Sequence, residues 1–181
     1  MLQFRHVFSI ARAGSRSLHV SPTAMTPEPI DVLVVEDDRA TLELTLRALR
    51  RLDASITLQV VTTGQEALEY LTSRGIFAGQ RFSPRPRLIL LDLQLPHLNG
   101  LEVLQFLRAD PHCPGTPIVL FTSSENPKDI KLAYENGVNA YVIKPDSATE
   151  YAAAVSRIAG YWLQANQVPQ TKAPQLKTRA S

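Results

Sequence analysis

Short apolar runs and longer amphipathic segments alternate along the middle of this chain. Five apolar runs are rich in leucine or β-branched residues, as is typical of strands buried on both faces of a sheet; they are Ile30–Val35, Ile56–Val61, Leu88–Leu91, Ile118–Phe121 and Ala140–Ile143. The segments that follow them carry apolar residues at helical spacing, for example Leu42, Leu46 and Leu49. Five such strand–helix units predict an α/β fold, a three-layer α/β/α sandwich around a five-stranded parallel sheet with right-handed crossovers.

The last predicted helix begins at a cap formed by Asp146-Ser147 and presents an apolar stripe. The stripe consists of Tyr151, Val155, Ile158 and Trp162. It extends past the length needed to cover five strands, so we expect exposed aromatic area here, which marks an interface. The alternative interpretation is ordinary core contact of this helix.

Charged and hydroxyl side chains stand directly after four of the predicted strands. They are Glu36, Asp37 and Asp38 after the first, then Asp92, Thr122 and Lys144. The carboxyl ends of parallel strands share one edge of a sheet, so we expect these side chains to share a crevice. Two unit charges about 4 Å apart repel by about 4 kcal/mol at an effective dielectric constant of about 20, so converging carboxylates require a cation.

Asp92 is the acid that stands alone on its strand, and we predict that it is a nucleophile for a phosphoryl group. Carboxylate oxygens suit Mg²⁺, and Asp37 and Asp92 are the predicted ligands. The metal and the Lys144 ammonium would offset the repulsion between a carboxylate and a phosphoryl dianion. The sequence therefore predicts an aspartyl-phosphate switch.

The net charge of +2 is a property of the chain ends. Residues 1–27 and 165–181 each carry three basic residues and no acid, whereas residues 28–164 carry 13 basic and 17 acidic residues. We expect no nucleic-acid partner for this acidic body, because phosphate neutralisation needs clustered Lys and Arg. We also expect no membrane span, because no apolar run is long enough. A single cysteine, Cys113, fits a reducing, cytoplasmic environment.

With 181 residues, the chain is expected to hold one domain with tails. We interpret residues 1–27 as a disordered N-terminal extension that an upstream start adds, with Met25 as the natural initiator. The Arg- and Ser-rich composition of this extension also resembles a transit peptide. Residues 28–164 form the predicted domain, and residues 165–181 form a flexible C-terminal tail.

The strand-end residues together resemble the receiver domain of two-component response regulators, over about residues 30–163. The resemblance implies the strand order 2-1-3-4-5 of flavodoxin-like receivers. It implies that Asp92 accepts a phosphoryl group from a sensor histidine kinase. It also implies a Mg²⁺ site, whose ligands would be Glu36, Asp37, Asp92 and the backbone carbonyl of Gln94. Such a protein is not a conventional enzyme, because it catalyses only its own phosphotransfer and dephosphorylation.

The same resemblance assigns roles to three further residues. Thr122 and Lys144 would bind the phosphoryl oxygens, and Tyr141 would be the aromatic switch that swings inward on activation. The bond between Lys144 and Pro145 would be cis, an isomer that is cheap only before proline.

Three features resemble the small stand-alone regulators paired with phytochrome kinases: the insertion Gly75–Arg87, the Leu46-Arg47-Ala48 stretch and the closing Tyr161-Trp162-Leu163. This resemblance implies a phytochrome-type kinase and a downstream phosphotransfer or effector protein as partners. It also implies a homodimer supported by the C-terminal segment. We therefore expect a single-domain regulator that relays a signal by changing its protein-binding surface.

Two other functions fit the sequence less well. A phosphorylation-independent adaptor would use the fold only for docking and would need none of the strand-end residues. The presence of Asp37, Asp92, Thr122 and Lys144 therefore favours the phospho-acceptor. A phosphohydrolase would need a second acid near the nucleophile, and Asp92-Leu93-Gln94 lacks one. No glycine-rich nucleotide motif occurs. We expect no output domain, because only about 17 residues follow Gln164.

Overall fold

The fold is described from a computed structural model, which covers residues 30–72, 75–77, 86–110 and 115–167. In these ranges five parallel strands form one sheet in the order β2-β1-β3-β4-β5. The strands are β1 (Val32–Val35), β2 (Leu58–Val61), β3 (Leu88–Leu91), β4 (Ile118–Thr122) and β5 (Ala140–Ile143). The predicted fold class and the strand order implied by the resemblance are confirmed.

Helices cover both faces of the sheet and produce two apolar cores. The helices are α1 (Arg39–Leu52), α2 (Gly64–Thr72), α3 (Gly100–Ala109), α4 (Pro127–Glu135) and α5 (Ala148–Gly160), with a 3₁₀ turn at Gly75–Phe77 and a π-helical turn at Tyr161–Ala165. Helices α2, α3 and α4 contribute to the core on one face, and α1 and α5 to the core on the other. The central strands β1 and β3 are buried along their whole length, because side chains of both their faces enter a core.

Polar caps begin the helices immediately beyond the carboxyl edge of the sheet. Asp38 accepts a hydrogen bond from the Thr41 amide at the start of α1. Ser147 caps α5, as predicted for the Asp146-Ser147 pair. Asn126 caps α4, and Pro127 takes the first position of this helix. The loops after β1, β4 and β5 are therefore short, and each ends at a helix cap.

The expectation of an exposed aromatic stripe on α5 is wrong for most of its members. Tyr151, Val155 and Ile158 are buried in the core between α5, α1 and the sheet. They are buried because α5 packs lengthwise against α1. Trp162 is half-buried, and Tyr161 beside it is 54% exposed. Within the predicted stripe and the residues beside it, the exposed aromatic area thus lies in the π-helical turn.

Several predicted segments lie outside the described residues. They are the N-terminal extension, most of the Gly75–Arg87 insertion, Cys113 and the greater part of the C-terminal tail. Within the described ranges, none of the helices combines the length and apolar character needed to cross a bilayer.

Gly100 allows the β3–α3 loop to return against the end of β3, and this contact generates a stability prediction. A Cβ atom at Gly100 would lie 2.2 Å from the backbone oxygen of Asp92. We expect Gly100→Ala to lower the free energy of unfolding by about 1–3 kcal/mol, measured by urea denaturation. Gly160→Ala is the matched control, because a Cβ there meets nothing within 4 Å. The control should stabilise the protein by about 0.5–1 kcal/mol, and equal effects of the two substitutions would contradict the packing argument.

Candidate functional site

Three carboxylates converge at the carboxyl edge of the sheet. Val35 of β1 pairs with Leu91 of β3, so the next residues, Glu36 and Asp92, lie side by side. The backbone amide of Asp92 donates to the carbonyl of Val35 and fixes this alignment. One ligand oxygen of each of Glu36, Asp37 and Asp92 can be chosen so that all lie within 4.8 Å of one another. The predicted acidic crevice is therefore present.

The Lys144 ammonium lies between two of these carboxylates. Its Nζ donates to Glu36 Oε2 at 2.6 Å and to Asp92 Oδ2 at 2.8 Å. The side chain of Lys144 is only 12% exposed, so both ion pairs are largely shielded from water. The backbone amide of Lys144 donates to the carbonyl of Thr122, which anchors this residue to β4. A cation and two acids from three different strands thus form one buried cluster.

Burial and the charge of Lys144 act in opposite directions on the pKa of Glu36. Burial raises the pKa of Glu36, and the neighbouring Asp92 charge adds to the rise, while the hydrogen bond and charge of Lys144 oppose it. Asp38 lies outside the cluster on the exposed surface. Hydrogen bonding from Thr41 lowers the pKa of Asp38, in keeping with its role as a helix cap. The crevice therefore resists the ionisation of Glu36 and depends on a cation to hold that charge.

The predicted residues Thr122 and Tyr141 lie in the neighbouring β4–α4 region. Thr122 is fully buried, and its Oγ1 accepts a hydrogen bond from the Ser124 amide. The Tyr141 hydroxyl donates to the carbonyl of Ser124 at 2.9 Å. Burial raises the pKa of Tyr141. Both predicted residues thus contact the loop that follows β4, and the backbone of Thr122 connects that loop to Lys144.

Gln94 lines the same crevice as the carboxylates. Its backbone amide donates to Asp92 Oδ1 at 3.2 Å, so the β3–α3 loop bends around the Asp92 side chain. His97 in this loop has a φ of 67°, a left-handed conformation that the tight return to Gly100 imposes.

The implied cis bond between Lys144 and Pro145 is wrong, because no cis peptide bond occurs among the residues that the structure describes. The trans form is the one that X–Pro bonds prefer, by about 0.5–1 kcal/mol.

The sequence assigned no role at the site to three residues around the crevice. Ser123 lines its opening, and Tyr151 lines its wall, although the stripe on α5 identified Tyr151 only as an apolar position. Thr45 is buried beneath the carboxylates, in a small cavity lined also by Glu36 and Asp92. Its signal was its place between Leu42 and Leu49, on the inward face of α1, where a hydroxyl is unusual.

The donor set fits a hard divalent cation. Carboxylate oxygens are the ligands that such cations prefer, and the donor atoms of all three acids lie close enough to share one ion. Asp37 is exposed while Glu36 and Asp92 are buried, so the group opens to solvent on one side.

Comparison with known proteins identifies the family. Residues 32–156 match the response regulator receiver domain, and the chain belongs to this family of two-component proteins. The response regulator Rcp1 of Synechocystis is 33% identical over 141 residues, which are 78% of this chain and 94% of Rcp1. The probable methanogenesis regulatory protein FilR2 of Methanothrix harundinacea is 37% identical over 142 residues, 78% of this chain and 89% of FilR2.

Solved structures agree with this assignment. The phosphorylated cyanobacterial phytochrome response regulator RcpA superimposes with a TM-score of 0.73 at 33% identity, over 79% of this chain and all of RcpA. The Mn²⁺-bound form of Rcp1 superimposes with a TM-score of 0.72 at 33% identity, over 78% of this chain and all of that structure. The chain is thus similar to phytochrome response regulators over most of its length.

The Lys144 cluster generates a prediction about stability. Lys144→Met removes the ammonium and leaves two buried carboxylates without their cation, so we expect a loss of about 3 kcal/mol in the free energy of unfolding at pH 7. Urea denaturation measures this loss. Lys131→Met is the matched control, because Lys131 pairs with Glu135 on the exposed surface of α4, and its effect should stay below about 1 kcal/mol.

The loss should also depend on pH. The folded-state pKa of Glu36 is raised above its usual value of 4.5, so the folded chain takes up this proton at a higher pH than the unfolded chain. Without Lys144 the rise is larger. The destabilisation should be greatest well above pH 4.5 and should shrink as the pH falls through the folded pKa of Glu36. An equal loss at pH 7 and near pH 4.5 would contradict this account of the cluster.

Proposed function

We propose that this protein is a phospho-acceptor response regulator, which takes a phosphoryl group onto Asp92 from a phosphohistidine of a sensor histidine kinase. The observation that carries the proposal is the bridge from Lys144 Nζ to Glu36 and Asp92. It joins the candidate nucleophile to a cation and to a second carboxylate inside one crevice. Membership of the receiver family supports the two-component context.

The proposed chemistry is the transfer of one phosphoryl group from a kinase histidine to Asp92. A carboxylate oxygen of Asp92 attacks the phosphorus, the P–O bond forms, and the P–N bond to the kinase histidine breaks as its imidazole takes up a proton. The Nζ of Lys144 lies 2.8 Å from Asp92 Oδ2. Its ammonium would therefore be close enough to stabilise the negative charge on the phosphoryl oxygens during the transfer. The protein acts on itself, and later hydrolysis of the acyl phosphate resets it.

Glu36, Asp37, Asp92 and the backbone carbonyl of Gln94 would hold Mg²⁺ in this proposal. The bound ion would neutralise charge on the phosphoryl oxygens as they approach Asp92. The Mn²⁺-bound structure of Rcp1 and the oxygen-only donor set support a divalent ion in this position.

Thr122 and Tyr141 would transmit the change. In the resting protein Thr122 Oγ1 accepts from the Ser124 amide, and a phosphoryl oxygen on Asp92 would compete for that hydroxyl. The carbonyl of Ser124 also accepts the hydrogen bond from Tyr141, so a shift of this loop would free Tyr141 to turn inward. The protein-binding surface around β4, α4 and β5 would change as a result.

A phytochrome-type sensor kinase is the proposed donor, and a phosphotransfer or effector protein is the proposed recipient of the signal. The similarity to the phytochrome response regulator RcpA supports this choice of kinase. A docking adaptor is a weaker proposal for this fold. An adaptor gains nothing from burying Glu36, Asp92 and Lys144 in one crevice, because charges taken from water lose solvation.

We also propose a homodimer through the π-helical turn after α5. Tyr161 is 54% exposed and packs edge to face on the half-buried Trp162, with ring centroids 5.0 Å apart. A two-fold axis brings the same patch from both chains together, so this one turn can supply both sides of the contact. Burial of a large side chain stabilises such a contact by about 1.5–3 kcal/mol.

Asp92→Asn tests the phospho-acceptor proposal. We expect this variant to take up no phosphoryl group from acetyl phosphate with Mg²⁺, whereas the wild type gains one, as measured by intact-protein mass spectrometry. Asp53→Asn is the matched control, because Asp53 lies at the far end of α1, and it should retain uptake. Removal of Mg²⁺ by EDTA should abolish uptake by the wild type. Uptake by Asp92→Asn at the wild-type level would contradict the assignment.

Sedimentation velocity at micromolar concentration tests the homodimer. We expect a dimer in the wild type, and an increase of at least about tenfold in its dissociation constant in Trp162→Ala, since loss of about 1.4 kcal/mol is tenfold. Phe106→Ala, an exposed aromatic of α3, is the control and should leave the dimer unchanged. A monomeric wild type, with or without acetyl phosphate, would overturn the dimer. A dimer that survives Trp162→Ala and deletion of residues 161–181 would overturn this contact.

A further inference from the structure

Two buried hydroxyl groups join α1 to α5 directly beneath the acidic crevice. Tyr151 is 4% exposed and Thr45 is 2% exposed. Their oxygens lie 2.7 Å apart and share a hydrogen bond. Thr45 Oγ1 also donates to the carbonyl of Thr41 at 3.1 Å, one turn earlier in α1. The two hydroxyls therefore form a polar cross-link inside an otherwise apolar core.

Tyr151 has a second set of contacts that point to the site. Its hydroxyl lies 3.5 Å from the carbonyl of Thr41, in the first turn of α1. Its ring packs on Phe121, with centroids 4.9 Å apart, and Phe121 immediately precedes Thr122 on β4. Tyr151 thus connects α5 with the start of α1 and with the end of β4.

The surroundings of the pair belong to the crevice. Tyr151 lines it together with Glu36, Asp92 and Lys144. Thr45 lines the small cavity beneath Glu36 and Asp92. Packing alone does not need these hydroxyls, because Ala48, Leu49, Val155 and Ile158 already join α1 and α5 in one apolar core. Both hydroxyls also lie within hydrogen-bond distance of the Thr41 carbonyl, so the pair joins α5 to the first turn of α1.

The first turn of α1 determines where the β1–α1 acids lie. Asp38 caps this turn through the Thr41 amide at 2.7 Å, and the Asp38 amide donates to Glu36 Oε1 at 3.3 Å. Asp37, the exposed acid of the carboxylate group, lies between these two anchored residues. A shift of Thr41 would therefore move the loop that carries Asp37.

We propose that Tyr151 is a positioning residue for the divalent-ion site: with Thr45 it fixes the first turn of α1 and so preorganises the β1–α1 acids. This inference rests on the proposed function, because it assigns a role in the same crevice. The pair acts before any phosphoryl group arrives, by limiting the positions that Glu36 and Asp37 adopt. A site whose ligands are already in place binds its ion more tightly.

Tyr151→Phe is the direct test, because it removes one oxygen and keeps the ring on Phe121. Thr45 retains its bond to the Thr41 carbonyl in this variant, so the substitution leaves no buried donor unpaired. We expect the dissociation constant for Mg²⁺, measured by calorimetry on the unphosphorylated protein, to rise on the order of tenfold. Phosphoryl uptake from acetyl phosphate should slow by the same factor at low Mg²⁺ and should recover to within about twofold at saturating Mg²⁺.

Companion variants separate positioning from folding. Thr45→Val removes the other half of the cross-link and should raise the Mg²⁺ dissociation constant by a similar factor, whereas Thr45→Ser keeps the hydroxyl and should rescue binding. Thr72→Val is the matched control, since the Thr72 hydroxyl makes the equivalent bond to Leu68 within α2, far from α1 and α5. Asp37→Ala, which removes a proposed ligand, defines the result for a disabled site.

These measurements distinguish failure of the positioning role from failure of the proposed function. If the wild type neither binds Mg²⁺ nor takes up phosphoryl, the proposed function itself fails. If the wild type does both and Tyr151→Phe and Thr45→Val bind Mg²⁺ as tightly as it does, the positioning role is overturned. A variant that unfolds more readily, yet binds Mg²⁺ normally below its unfolding temperature, also overturns it. Should Tyr151→Phe fail to fold, the contrast between Thr45→Val and Thr45→Ser decides the question.

Discussion

The ion pairs of Lys144 with Glu36 and Asp92 are the interaction on which the arrangement of the site depends. Three carboxylates whose ligand atoms can lie within 4.8 Å of one another repel strongly, and two of them are buried. The Lys144 ammonium offsets part of this repulsion through its two ion pairs. Burial raises the pKa of Glu36, and the hydrogen bond and charge of Lys144 oppose that rise.

The fold brings these groups together through backbone contacts. The register of β1 against β3 places Glu36 beside Asp92. The hydrogen bond from the Lys144 amide to the Thr122 carbonyl fixes the backbone of Lys144 beside the end of β4. Gly100 lets the β3–α3 loop pass close to the carbonyl of Asp92. At this edge of the sheet, the loop at Ser124 contacts both Thr122 and Tyr141.

Much of this arrangement could be predicted from the sequence, because strand periodicity and strand-end chemistry are local signals. The runs before Glu36, Asp92 and Lys144 predicted the strands, and the shared edge of a parallel sheet predicted the crevice. The exposure of α5 could not be predicted, because the stripe from Tyr151 to Ile158 is equally consistent with a core and with an interface. The Thr45–Tyr151 bond joins residues 106 positions apart, and no local pattern reports such a pair. Asp92 and Lys144 were predictable as members of the site, but the sharing of one ammonium by two acids required the folded geometry.

The central claim is that Asp92 accepts the phosphoryl group. Chemical trapping of the aspartyl phosphate tests this claim most directly. The protein is incubated with acetyl phosphate and Mg²⁺, reduced with borohydride, which converts an aspartyl phosphate to homoserine, and digested for mass spectrometry. The account predicts homoserine at position 92, dependent on Mg²⁺ and absent when acetyl phosphate is omitted. Homoserine at another acid, or a phosphoryl group retained on a histidine with position 92 unmodified, would contradict it.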